Sequence, residues 1–120
     1  MHIKSQYMPP KEEKLCVDIL TAIEEMESFL DDVTEDVFNQ SRLQQVAVER
    51  ELEIIGEALK RLERLNEAAF ERIQNGRKII GMRNVLAHGY DVIDYRILWS
   101  TIRHDIQPLA EQVRAMIAGG

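Results

Sequence analysis

The chain is poor in the features that would take it away from a plain helical fold. It has one cysteine, so no internal disulfide can form. Cys16 lies in an apolar helical stripe, which favours a buried hydrophobe over a reactive thiol. No apolar run approaches the roughly 20 residues that a bilayer-spanning helix needs. The opening MHIKSQYMPPKEEK has no signal-peptide core, so the expected setting is the cytoplasm, without a membrane partner. No alternating strand pattern, repeat or low-complexity segment appears. Positive charge is short as well: 15 Lys and Arg stand against 21 Asp and Glu, a net charge of -6. That balance excludes a protein that coats nucleic acid by bulk attraction. The three histidines, at 2, 88 and 104, have no metal-ligand spacing, so neither metal nor cofactor is expected.

What is present is a soluble, helix-rich composition, 45% apolar and 30% charged. A chain of 120 residues is read as one domain spanning 1–120, with irregular tails at 1–9 and 118–120. By size scaling it buries roughly 65% of the surface its unfolded form exposes. Charge is divided unevenly. Residues 1–58 hold 5 basic and 14 acidic side chains, and residues 59–120 hold 10 basic and 7 acidic. That polarity suits local anion binding, contact between acidic and basic faces of different chains, or simply solvated helix faces.

Pro9 and Pro10 suit the first turn of a helix over about 10–30, in which Leu15, Ile19, Ala22 or Ile23, Met26 and Phe29 or Leu30 recur at three- and four-residue steps. Asp31 to Thr34 break it, and a short helical turn follows near 35–39. Ser41 is an N-cap for a long helix to about Leu65, with Leu43, Val46, Ala47, Ile54, Ile55, Ala58, Leu59, Leu62 and Leu65 as its apolar positions. Gly56 interrupts that helix at a cost of roughly 1 kcal/mol relative to alanine, which predicts a close helix contact there. Asn66 caps a short helix through Ile73, which Asn75 and Gly76 end. A further helix runs from Arg77 to about His88, with Ile79, Ile80, Met82, Val85 and Leu86 as its apolar surface. Asp94 caps the last one, which Pro108 bends or restarts. The expected fold is all-α, an antiparallel bundle of four to five helices.

The stretch MRNVLAHGYDVID, 82–94, is the one segment that does not read as ordinary bundle helix. Arg83 and Tyr90, seven residues apart, share a helix face, whereas His88 falls about 140° from Arg83 on a regular helix. A glycine after a helix end adopts the left-handed conformation cheaply, so Gly89 lets the helix finish at His88 and its imidazole turn toward the arginine face. The helix end also favours protonated histidine. A guanidinium matches phosphate oxygens, an imidazole exchanges protons near neutrality, and Asn84 adds a neutral donor and acceptor. The set suits transfer at a phosphodiester without a metal: a base for the ribose 2′-hydroxyl, a cation for the charge on phosphorus oxygens and a donor for the leaving oxygen. With one such histidine per chain, two chains facing each other would ease the proton exchange. Spacing alone leaves open that the arginine and histidine are neighbours by chance.

RNVLAHGY fits R-x-x-x-x-H-x-Y with a polar residue after the arginine, and so resembles the HEPN superfamily and, within it, the HepT-like toxins paired with MntA-type minimal nucleotidyltransferases. ERELEIIGEALKRL (49–62) is similar to the family's second long helix, and GMRNVLAHGYDVIDYRILWSTI (81–102) to its motif helix, turn and Trp-bearing last helix. The likeness covers about 10–116. The family usually has a proline and a bulky aromatic before the motif helix, where this chain has Gly76 and Arg77. The resemblance implies an all-α homodimer whose motifs face a shared cleft, and a metal-independent endoribonuclease acting on RNA as the toxin of a type VII toxin–antitoxin pair. It implies Arg83 and His88 as the catalytic pair with Asn84 in support. It also implies silencing by a cognate nucleotidyltransferase that attaches AMP to Tyr90.

Other residues read as structural. Tyr95 and Trp99 are assigned to core or dimer packing, His104 beside Asp105 to a surface or packing role because adjacent helix residues do not face each other, and Glu57 to pairing with an arginine such as Arg50. Two further functions compete with the ribonuclease: a non-catalytic HEPN module that binds nucleotide or presents a transferase, and a purely structural dimerisation bundle.

Overall fold

Short polar side chains placed just before apolar runs set most of the helix starts. The computed structural model describes residues 8–88 and 93–119, with the side chains of all of these but Ala87 and His88. Among the described residues seven helices follow in chain order: α1 (Pro10–Phe29), α2 (Glu35–Gln40), α3 (Arg42–Leu65), α4 (Glu67–Glu71), α5 (Gly76–His88), α6 (Tyr95–His104) and α7 (Ile106–Ile117). Among the described residues there is no strand. Thr34, Ser41, Asn66 and Asp94 each accept a hydrogen bond from a backbone N–H in the first turn that follows, at 3.0–3.3 Å, which supplies donors a helix start cannot satisfy internally. The last three of these are the caps the sequence predicts. Pro108 is the third residue of α7, where its missing N–H costs nothing, so the break falls three residues before it, at Asp105. No helix of the described residues is long and apolar enough to cross a membrane.

α3 is the central element, and its neighbours run antiparallel to it. Asn66, just past the end of α3, donates to Glu12 at the start of α1 (3.1 Å), while Gln44 at the start of α3 reaches the Phe29 carbonyl at the end of α1 (3.4 Å). On the other side, Arg77 early in α5 pairs with Glu63 at 2.8 Å and Arg83 pairs with Glu57 at 3.0 Å, so α5 advances as α3 recedes. α7 begins beside the end of α1, where Gln107 hydrogen-bonds Glu27. Its second half reaches the loop before α5, where Gln112 accepts from the Gln74 N–H (2.9 Å). The buried core joins Cys16, Ile19 and Ile23 of α1 to Leu52, Ile55 and Leu59 of α3 and to Leu109 and Val113 of α7. Burial pushes the Cys16 thiol up to about 11, with Glu12 and Glu13 adding to it, so the sulfur is an inert core atom.

The apolar stripe of α3 differs from expectation in its first turns. Leu43 is 81% exposed and Val46 is 46% exposed, and the buried face is led by Gln45 instead. The reason lies in α2: its last carbonyls lack helical partners, and the Gln45 amide donates to Phe38 O (3.0 Å) and Asn39 O (3.1 Å), which fixes the rotation of α3. Leu65 and Val85 are half exposed too, at the ends of their stripes. The turn before α5 also resolves differently. Asn75, with φ 61°, takes the left-handed conformation, whereas Gly76 opens α5 because a Cβ there would lie 3.0 Å from the Phe70 ring. Asp105, buried at the junction of α6 and α7, ties that turn down by accepting from Asn75 (3.1 Å) and pairing with Lys78 (2.9 Å).

Gly56 meets the predicted close contact. A Cβ on it would stand 2.4 Å from Arg83 Cβ and 2.6 Å from Arg83 Cγ, atoms too near the α5 backbone to step aside. Replacing it with alanine removes a helix-weakening glycine, a gain of about 1 kcal/mol. It also forces α5 off α3, and overpacking of this kind costs about 1–3 kcal/mol. Gly56→Ala is therefore expected to lower stability in urea unfolding; equal or higher stability would show that the two helices are not held at this distance.

Between α1 and α3 the buried Glu51 faces Glu25, and one Glu51 oxygen has no hydrogen-bond partner. Desolvation, a hydrogen bond with Glu25 and the Glu25 charge raise the Glu51 carboxyl from 4.5 to about 7, against a smaller lowering by Arg50. The folded state thus holds a proton that the unfolded chain releases between about pH 4.5 and 7. Stability falls as pH rises through that window and levels off above it. Glu51→Gln is expected to flatten this slope, leaving stability unchanged near pH 4 and raising it at pH 8 by on the order of 1–3 kcal/mol. Parallel pH profiles for parent and variant in urea unfolding would refute the assignment.

Candidate active site

Arg83 stands at mid-length on α5, and its placement starts with packing rather than charge. Its stem lies against the bare backbone of Gly56, so the side chain runs along α3 before its charged end emerges. One guanidinium nitrogen donates to Glu57 Oε1 at 3.0 Å and another to Asn84 Oδ1 at 3.1 Å. The side chain is 24% exposed, and Nε is buried without a partner. A group that otherwise samples many rotamers is thereby held in one direction.

The role of Glu57 escapes the sequence reading. It was expected to pair with an arginine such as Arg50, but it faces Arg83, and its other oxygen accepts from Arg61 Nε at 3.2 Å with Arg64 3.9 Å away. Partial desolvation pushes the Glu57 carboxyl up, but the Arg61 hydrogen bond and the charges of Arg83, Arg61 and Lys60 outweigh it and hold the group below its ordinary range. Glu57 stays ionised at neutral pH and orients Arg83. A signal was available in the sequence: Gly56 forces a neighbour close, and the adjoining carboxylate is the nearest charge to whatever that neighbour is.

Asn84 serves Arg83 directly, as the acceptor just described. For the rest of the motif the structure is silent on contacts. His88 belongs to α5 by its backbone, but its side chain lies outside the described residues, as do Gly89 and Tyr90, and with them the expected turn of the imidazole toward the arginine face.

Arg83 lines a cavity of about 480 Å³ between α1 and α3, together with Asp18, Glu25, Glu51, Glu57 and Arg61. Among the described residues no group of three or more His, Cys, Asp or Glu is placed to hold a metal ion. The residues set aside as structural pack as such. Trp99 and Tyr95 flank Phe38, with ring centroids 5.2 and 6.1 Å away, and Arg103 stacks on Trp99 at 4.5 Å. The Tyr95 hydroxyl donates to Glu49 (2.9 Å) and accepts from Arg42 (2.7 Å). His104 turns its Nδ1 back to the Ser100 carbonyl at 3.0 Å, not to Asp105.

Comparison with known proteins places the chain among ribonuclease-like relatives. "Probable ribonuclease HepT" of Thermococcus cleftensis is 39% identical over 95 residues, covering 77% of this chain and 83% of its own. "Putative RNase MJ1380" of Methanocaldococcus jannaschii is 31% identical over 96 residues, covering 80% and 87%. "Putative RNase MJ0125" of the same organism is 29% identical over 111 residues, covering 92% and 95%. No solved structure matches the chain. Residues 19–116 match the family described as Ribonuclease HepT-like, and the chain belongs to that family.

Proposed function

We propose that the protein is a metal-independent endoribonuclease in which Arg83 and His88 carry the reaction and Asn84 supports Arg83. The observation that carries this reading is the fixed guanidinium: Arg83 is held by Glu57 and Asn84 at a cavity wall, on the helix that bears the arginine and histidine of the motif, in a HepT-like chain. In the reaction the ribose 2′-oxygen attacks the adjacent phosphorus, and its proton passes to the His88 imidazole. Arg83 stabilises the charge gathering on the non-bridging oxygens. The bond from phosphorus to the 5′-oxygen of the next nucleotide breaks, and that oxygen takes a proton from an imidazolium, leaving a cyclic phosphate. No outside reactant is required. Two chains as a homodimer, each presenting one motif to a shared cleft, would supply base and acid together. His88 stands five residues beyond Arg83, about 7.5 Å along the helix axis, a separation that one phosphate group and its ribose can bridge.

We propose regulation by a cognate nucleotidyltransferase as well, supported by the tyrosine two residues after His88 in the sequence. The Tyr90 phenol oxygen would attack the α-phosphorus of ATP, lose its proton to the medium and release pyrophosphate. The resulting AMP ester adds an anion where Arg83 would otherwise hold RNA. The pair would act as toxin and antitoxin in the cytoplasm.

Purified protein in EDTA is expected to cleave single-stranded RNA. Arg83→Ala and His88→Ala should each lose about 10²–10⁴ in rate, and Asn84→Ala about tenfold. RNA bound without cleavage by the parent would favour instead a non-catalytic module that holds phosphate.

Incubation with a cognate nucleotidyltransferase and ATP should add adenylate mass to the parent and silence it, while Tyr90→Phe stays unmodified and active. Full modification of Tyr90→Phe would overturn the silencing account.

A further inference from the structure

Beyond the Arg83 cavity, the seam between α1 and α3 continues into a second groove, of about 550 Å³. Its lining includes Lys11 and Lys14 from α1, Arg61 and Arg64 from α3, and a single carboxylate, Glu57. Four cations against one anion is unexpected in a chain whose net charge is -6. Because the helices are antiparallel, the first turns of α1 lie beside the last turns of α3, and that register brings the two basic pairs together.

Glu57 joins this groove to Arg83. One of its oxygens takes the Arg83 hydrogen bond and the other faces both Arg61 and Arg64, so three guanidiniums share one negative charge. The side chains of Arg61 and Arg64 are 63% and 67% exposed, and that of Lys14 is 75% exposed against Asp18, four residues on, at 3.0 Å. Lys11 makes no ion pair among the described residues. Exposed pairs of this kind hold their partners weakly and exchange them readily for phosphate. Leu15 and the half-exposed Leu65 give the groove an apolar strip on which a sugar or base can rest.

The opposite direction along the seam is closed to a polyanion. Toward that end the Arg83 cavity is lined by Glu25, Glu51 and Glu53, with Arg50 as their cation. We infer that this basic groove is an RNA track: Lys11, Lys14, Arg61 and Arg64 bind successive backbone phosphates of a single strand and lead it to Arg83, away from the acidic end. The inference rests on the ribonuclease reading and adds to it the path of the substrate.

The lysine pair tests it cleanly, because neither lysine bonds Glu57 or Arg83. Binding of a fluorescent 12-nucleotide RNA is measured by anisotropy across a salt series, on full-length His88→Ala protein so that the probe survives. Adding Lys11→Gln and Lys14→Gln is expected to weaken binding about tenfold at low salt. It should also reduce the salt slope by about 1.4, at roughly 0.7 per phosphate contact. Arg61→Gln with Arg64→Gln should do the same, whereas Arg114→Gln on α7 should change neither. For active protein, the rise in KM of the lysine variant should be larger for the long RNA than for a dinucleotide, whose single phosphodiester is taken up by the reaction at Arg83. A lysine variant with unaltered melting, affinity and slope overturns the track, and so does an equal loss in Arg114→Gln, which would make the effect one of bulk charge. Those results leave the ribonuclease reading standing if the parent cleaves RNA in an Arg83-dependent way. A parent that neither binds nor cleaves RNA removes both.

Discussion

A missing side chain governs how α5 meets α3. At Gly56 the α3 backbone is bare, and the Cβ and Cγ of Arg83 occupy the space that any other residue would fill. From this contact the rest of the candidate site follows in order. The Arg83 stem is laid along α3, its guanidinium arrives at Glu57, the very next residue, and Asn84 closes the other side. Fixing a long side chain costs up to about 2 kcal/mol of rotamer entropy. Here that cost is met during folding, by packing and two hydrogen bonds, so it does not recur when an anion binds.

The same carboxylate shapes the electrostatics. Net charge describes how the whole chain behaves in solution, but a bound anion senses the field within a Debye length, about 8 Å at physiological ionic strength. In the groove beyond Glu57, Lys11, Lys14, Arg61 and Arg64 outnumber that carboxylate. An acidic protein can therefore present a cationic groove. Charge becomes a gradient along one seam because the antiparallel α1 and α3 bring Lys11 and Lys14 beside Arg61 and Arg64 at one end and leave Glu25, Glu51 and Glu53 at the other.

The helices were legible because their signals are local. Three-and-four spacing, the caps at Ser41, Asn66 and Asp94, and the restart near Pro108 depend on neighbours in sequence. What failed to show was set by contacts between elements. Leu43 and Val46 carry the right spacing for a core face, yet Gln45 takes that face because the carbonyls ending α2 need its amide. Glu57 reads as a partner for Arg50 on its own helix; only the approach of α5 makes Arg83 the partner. Gly56 was the intermediate case, since a glycine inside a strong helix announces a close neighbour without naming it. The motif itself was visible as residue types at fixed spacing, and Arg83 and Asn84 do meet, while the His88 and Tyr90 side chains stand outside the described residues.

The acidic end of the seam carries less charge than its residue count implies. The exposed Glu25 sits close enough to the buried Glu51 to share a hydrogen bond, and below about pH 7 Glu51 keeps a proton. Two facing carboxylates without a proton between them repel across the α1–α3 seam; with one, they become a hydrogen-bonded contact. The seam can thus hold like charges on facing helices and still pack. The field along it steepens only as the shared proton leaves, so the acidic boundary of the Arg83 cavity is strongest on the alkaline side of neutrality, where folding stability is lower. Packing and polarity pull in opposite directions at Glu51, and the proton sets the balance between them.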